Sequence, residues 1–229
     1  MRALAAIVVV PVLFVGWQWW SDHSLEQRLR PIASGIAGRN VEVDCQSVWG
    51  ELLDVQAREG EVYFDASGSP DRKLFLTRRI CKRLRGIANS TSHDELDCLQ
   101  DVDWNAPDPL PLPSRCFARA SETIYAVLIL AHESYHTAGV RDEATTNCFA
   151  IQAMAWTATQ LGIPDNQAEQ LARAMESLEP EQPSGYETTE CHAGLRLDLH
   201  PSTPDFPTEH PLAPPLGAGG TPSITPETS

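Results

Sequence analysis

Residues Thr123–His136, with the sequence TIYAVLILAHESYH, carry the strongest structural signal in this chain. His132 and His136 lie four residues apart, so a helix with about 3.6 residues per turn presents both imidazoles on one face. The residues before the first histidine are nearly all apolar, whereas a solvated helix would show a polar face here. The stretch therefore predicts a helix that is buried in the core and carries two histidines on one side.

The histidines and the glutamate between them form an HExxH motif. In that pattern both imidazoles bind one zinc ion, and the glutamate deprotonates a water on the metal. The motif predicts His132 and His136 as zinc ligands and Glu133 as the general base of peptide hydrolysis. The alternative is that this five-residue motif arose by chance in a disulfide-stabilised helical domain.

A third zinc ligand is expected shortly after the motif, where Gly139 is placed to end the helix. Asp142 completes the spacing HExxHxxGxxD, which is the metzincin pattern with aspartate in place of the third histidine. Glu143 instead opens a second helix, which would be a gluzincin-like arrangement. The residues alone leave both acidic side chains open as the third ligand.

The segment His132–Cys148, written HExxHxxGxxDEAxTxC, resembles a group of uncharacterised actinobacterial secreted or membrane-anchored proteins with a predicted metallopeptidase motif. The resemblance covers about residues 41–198, and it is specific near the motif and at the last cysteine. It implies a zincin-like fold in which the acidic residue that opens the second helix, Glu143, is the third ligand. It also implies that Cys81, Cys148 and Cys191 are framework positions.

The N-terminal segment predicts export from the cytoplasm. Residues 3–20 are apolar and just long enough to span a bilayer, and Arg2 makes the preceding flank positive. We therefore predict a signal anchor at residues 1–22 of a single-pass cell-membrane protein with an extracytoplasmic domain. A cleaved signal peptide and secretion are the alternative. Residues 23–40 are predicted to form a stalk, in which Pro31 ends a short helix.

Composition divides the rest of the chain into a domain at residues 41–198 and a disordered, proline-rich tail at residues 199–229. The formal net charge of −14 argues against nucleic acid as a partner. Six cysteines, all after the apolar segment, predict three disulfides. The expected pairs are Cys45–Cys191, Cys81–Cys148 and Cys98–Cys116.

The hydrophobic pattern predicts a helix-rich α+β domain. Alternation at residues 41–45 and 61–65 predicts two strands of a small antiparallel sheet. A basic helix is predicted at residues 74–87. Its basic residues either contact anionic lipid or an acidic partner, or they form a solvated face. Two further helices are predicted at residues 143–161 and 165–178.

Together these features predict an extracytoplasmic zinc metallopeptidase that acts on a peptide or protein substrate. Tyr186 and His192 are candidates to stabilise the transition state, and the alternative for each is an ordinary surface role. A catalytically inactive zincin-like module for binding or assembly is the alternative function.

Overall fold

Helices dominate the computed structural model, which describes residues 21–46, 59–104, 114–178, 183–202 and 206–207. The predicted anchor at residues 1–22 and the predicted tail at residues 199–229 lie almost wholly outside the described residues. Helix α1 covers residues 21–37, and the elements that follow are β1 (Glu42–Cys45), β2 (Gly60–Phe64), β3 (Pro70–Leu76), α2 (Arg78–Asn89), a 3₁₀ helix (Asp94–Leu99), α3 (Ser114–Ala138), α4 (Glu143–Gln160) and α5 (Asp165–Leu178). None of the described helices combines the length and the apolar character that crossing a bilayer requires.

Helix α3 is the centre of the fold, as the apolar run before the motif predicts. It packs against α2, α4 and two strands of the sheet. Ile124, Val127 and Leu130 on this helix are fully buried, and so is Tyr135 inside the motif. Burial of one such apolar side chain contributes roughly 1.5–3 kcal/mol to folding. The histidines therefore sit on a rigid, buried helix.

Helix α1 continues through Pro31, so the expectation that this proline ends a short helix is wrong. Residues 23–40, predicted as a stalk, contribute an apolar stripe to the same core as the motif helix. A proline inside a helix costs about 3 kcal/mol. Burial of four large side chains on one face outweighs that cost at roughly 1.5–3 kcal/mol each. These side chains are Leu25, Leu29, Ile32 and Ile36.

The sheet has three strands in the order β1-β3-β2. It is mixed rather than antiparallel as predicted, because β1 pairs with β3 in parallel while β2 pairs with β3 antiparallel. Strand β3 was not predicted, and its last residues were expected in the basic helix. Leu74 and Leu76 point inward with period two, and the Thr77 side chain accepts a hydrogen bond from the Ile80 amide to start α2. The helix therefore begins at Arg78.

Three disulfides join Cys45 to Cys81, Cys98 to Cys116 and Cys148 to Cys191. The predicted Cys98–Cys116 pair is confirmed, and the other two predicted pairs are wrong. Parallel pairing of β1 with β3 places the end of β1 beside the start of α2, which joins Cys45 to Cys81. Cys191 lies against α4, where it pairs with Cys148 rather than with Cys45. Three disulfides suggest an oxidising, extracytoplasmic environment.

Candidate metal centre

A short connection between α3 and α4 brings the motif helix and the next acidic residue together. Gly139 has a φ of 104°, a left-handed conformation that side chains other than glycine rarely adopt. The Val140 amide then donates to the Tyr135 carbonyl and closes the end of α3. Asp142 caps α4, so Glu143 is the first residue of that helix and faces the two histidines.

The three side chains converge on one point. His132 Nε2 lies 2.9 Å from Glu143 Oε2, and His136 Nε2 lies 3.3 Å from the same oxygen. One ligand atom from each residue lies within 4.8 Å of the others. Both imidazoles are buried, whereas the Glu143 side chain is partly exposed. The group could therefore hold a metal ion that remains accessible from the Glu143 side.

A backbone contact sets the protonation of His136. Its Nδ1 lies 2.7 Å from the Val140 carbonyl oxygen, which only accepts hydrogen bonds, so Nδ1 carries a proton. In the neutral ring the lone pair is then on Nε2, which faces the Glu143 carboxylate. Two such acceptors are held together by a proton or a cation between them. Metal-binding histidines show this pattern, with the second ring nitrogen donating to a carbonyl.

The charges of the site also suit a cation. The pKa of Glu143 is held far below its usual range by the imidazoles of His132 and His136, which lie against its carboxylate. Burial lowers the pKa of His132. Burial opposes protonation of His136 as well, but the hydrogen bond to Glu143 and the charge of Glu133 together raise its pKa. The ionised carboxylate of Glu143 and the neutral imidazole of His132 are together suitable ligands for a divalent metal.

Asp142, the other candidate for the third ligand, is engaged elsewhere. Its Oδ1 accepts hydrogen bonds from the amide of Thr145 at 2.9 Å and from the hydroxyl of Thr145 at 2.7 Å. This is the role of a helix N-cap residue. The structure therefore brings Glu143, and not Asp142, to the two histidines.

Glu133 is buried at the wall of the same cavity, which has a volume of about 710 Å³ and opens to solvent. The first residue of β2 packs directly on it. A Cβ atom added to Gly60 would lie 2.5 Å from Glu133 Cγ, so only glycine leaves room for the carboxylate. From the sequence this glycine was assigned no role at the site. No local signal in the sequence shows that it approaches α3.

The two candidates for transition-state stabilisation lie in different places in the structure. Tyr186 lines the cavity, and its ring lies 5.9 Å from that of His132. His192 is exposed, does not line the cavity, and acts electrostatically on Glu176 of α5. Tyr186 thus remains a candidate by position, and His192 is a surface residue.

Comparison with family models, curated proteins and solved structures found no match. The function is therefore inferred from the chemistry of the site itself.

Pro183 and Tyr186, at the start of the irregular segment at residues 183–202, form one wall of the cavity. The Cys148–Cys191 bridge ties this segment to α4. Gln152 donates to the Leu197 carbonyl at 2.9 Å and accepts from the Leu199 amide at 2.8 Å. Asn147 donates to the Tyr186 carbonyl at 3.1 Å. These contacts place the Tyr186 ring beside the histidines.

Replacing both Cys148 and Cys191 with serine is expected to lower the free energy of unfolding by roughly 4 kcal/mol, because the bridge spans 43 residues. Hydrogen exchange should also accelerate throughout residues 183–202. The matched control replaces Cys98 and Cys116, whose bridge spans 18 residues, at a cost of roughly 3 kcal/mol. Equal exchange in residues 183–202 of both variants would show that the disulfide does not hold the wall.

Proposed function

We propose that this protein is a zinc-dependent metallopeptidase with a zincin-like domain, acting on peptides or proteins outside the cytoplasm. The observation that carries the proposal is the convergence of His132, His136 and Glu143 beside the buried carboxylate of Glu133. The same arrangement was expected from the motif and from the resemblance to actinobacterial proteins. The convergence argues against a chance motif, because the histidines lie on α3 whereas Glu143 comes from α4.

The donor set favours zinc with a catalytic role. Two imidazoles and one carboxylate are typical ligands of zinc in peptidases, where three protein ligands leave one position open. Structural zinc sites are normally closed by a fourth cysteine or histidine. Among the described residues no further histidine, cysteine or acidic side chain joins the group, and all six cysteines form disulfides.

The chemistry then divides between the metal and the protein. A bound zinc supplies Lewis acidity toward the scissile carbonyl and toward water. Glu133 accepts a proton from the attacking water and returns it to the leaving amine. The Val140 carbonyl holds the His136 ring in the ligating tautomer. The open cavity admits an extended peptide between α3 and the rim that contains Tyr186.

We also propose that the domain is held at the cell surface. The three disulfides fit an oxidising compartment. The apolar segment at residues 3–20, with Arg2 before it, has the charge pattern of a signal anchor whose C-terminal side is exported. Secretion after cleavage of this segment is the alternative.

The test is metal content and chelator-sensitive proteolysis by the purified full-length protein. Elemental analysis should find about one zinc per chain, as expected for one three-ligand site. Cleavage of casein or of a peptide pool should stop with a chelator and return when zinc is added back. A folded protein without zinc would refute the proposal. Bound zinc without cleavage of any substrate would favour the inactive binding module.

Replacing Gly60 with alanine should reduce peptide hydrolysis by about 100-fold while the zinc content stays unchanged. The added methyl group displaces the Glu133 carboxylate, and a misplacement of about 1 Å can cost this factor. The control is Gly86→Ala on α2, where nothing lies within 4 Å of the added atom. Wild-type activity in the Gly60 variant would contradict the assigned position of the base.

A further inference from the structure

A second, basic cavity lies at the start of α2, apart from the metal centre. Its volume is about 170 Å³, and it is lined by Arg78, Lys82 and Arg85 on one side and by residues 21–22 on the other. The three cations follow each other at spacings of four and three residues, which places them on one face of the helix. Three basic side chains therefore line this cavity in a protein whose formal net charge is −14.

The neighbouring face of α2 shows how this protein neutralises basic residues elsewhere. Arg79 pairs with Glu59 at 3.1 Å, and Arg83 lies 3.5 Å from Glu95. On the cavity face only Arg85 has a carboxylate partner, Asp22. Arg78 and Lys82 form no salt bridge within the described part of the chain. The charges of Arg78 and Lys82 at the cavity therefore have no carboxylate partner among the described residues.

Two further features mark the cavity as a place for an anion. The first turn of α2 contains no acidic residue, although the helix dipole favours negative charge there. Like charges four residues apart also destabilise a helix. An anion in the cavity would offset both of these effects.

We propose that this cavity binds a phosphate group, supplied either by a lipid headgroup or by free phosphate. The volume corresponds to that of about six liquid water molecules, which is enough for a phosphate. Arginine and lysine are the side chains that bind phosphate most often in proteins. Ser21 lines the cavity and follows directly on the apolar segment at residues 3–20, which is where a lipid headgroup would lie if that segment enters a membrane.

The test exploits the fact that the chain contains only two lysines, Lys82 in the cavity and Lys73 on β3. Lys73 pairs with Asp44 at 2.5 Å and serves as the internal reference. The full-length protein in neutral detergent is treated with an amine-acetylating reagent, and mass spectrometry gives the ratio of labelling at the two lysines. A phosphate beside Lys82 keeps its ammonium protonated and unreactive.

Inorganic phosphate should lower the Lys82 to Lys73 ratio by roughly fivefold, the factor that corresponds to the attraction of one basic side chain to an anionic lipid surface. Chloride at equal ionic strength should not. In the second arm the protein is placed, without free phosphate, in bilayers of phosphatidylcholine with or without phosphatidylglycerol. Protection of Lys82 in the anionic bilayer alone assigns the site to a headgroup, and protection by inorganic phosphate alone assigns it to the soluble ion.

The variant Arg78→Gln should abolish the protection, whereas Arg72→Gln on β3, outside the cavity, should keep it. Circular dichroism and an intact Cys45–Cys81 bridge show that both variants are folded. The proposal is overturned if neither phosphate source changes the ratio, if both lysines are protected equally, or if Arg78→Gln protects as well as wild type does.

Discussion

Replacing Glu133 with glutamine is expected to reduce peptide hydrolysis by about 10²- to 10⁴-fold while the zinc content stays at that of the wild type. Glutamine has nearly the same shape, so the contacts of this buried residue with β2 are kept. The amide, however, cannot accept a proton from water at neutral pH. Glu133 is also absent from the group of side chains that converge as ligands, so the metal should remain bound.

The measurement is initial cleavage rate beside elemental analysis of the same sample. The matched control is Glu122→Gln, which removes an exposed carboxylate from the same helix but outside the cavity. Its rate should stay within a few-fold of wild type. Unchanged hydrolysis by the Glu133 variant would refute the assigned base, even if zinc is present. Loss of zinc together with activity would instead place Glu133 among the ligands.

Replacing His136 with alanine is expected to remove the metal. The substitution eliminates one of three ligands and the hydrogen bond that orients it, and loss of such an orienting bond alone weakens metal affinity by about 10- to 100-fold. We expect the affinity for zinc to fall by more than about 100-fold. Zinc measured after gel filtration should therefore drop to background in this variant.

Thermal unfolding provides a second measurement of the same variant. A ligand that binds only the folded state raises its stability, so added zinc should raise the melting temperature of the wild type and leave the variant unchanged. The control is His192→Ala, because this histidine is exposed and does not line the cavity. Zinc retained at full stoichiometry after loss of His136 would show that the metal binds elsewhere.

Local patterns allowed part of this structure to be predicted. The apolar run before the motif indicated a buried helix, and α3 is buried. Helix α5 was predicted at residues 165–178 and is observed at Asp165–Leu178. The Cys98–Cys116 bridge, which spans only 18 residues, was also predicted. In each case the signal lies within one element or one short loop.

Other features depended on contacts between distant segments. Helix α1 passes through Pro31 because its apolar stripe is covered by the core, which the proline itself does not indicate. The Cys45–Cys81 and Cys148–Cys191 bridges follow from strand pairing and from the return of residues 183–202 to α4. The separation of two residues along the chain does not give the distance between them in the fold.

The helix-rich α+β class and the position of His132 and His136 on one face of a core helix follow from the sequence, because helical periodicity is a local property. The residues alone left Asp142 and Glu143 open, although the resemblance favoured Glu143. The contact of Glu143 with the histidines and the packing of Gly60 against Glu133 are seen in the tertiary structure. The first contact depends on how residues 139–142 direct α4 back against α3, and the second depends on where β2 lies against α3. Only the second joins segments that are remote in sequence.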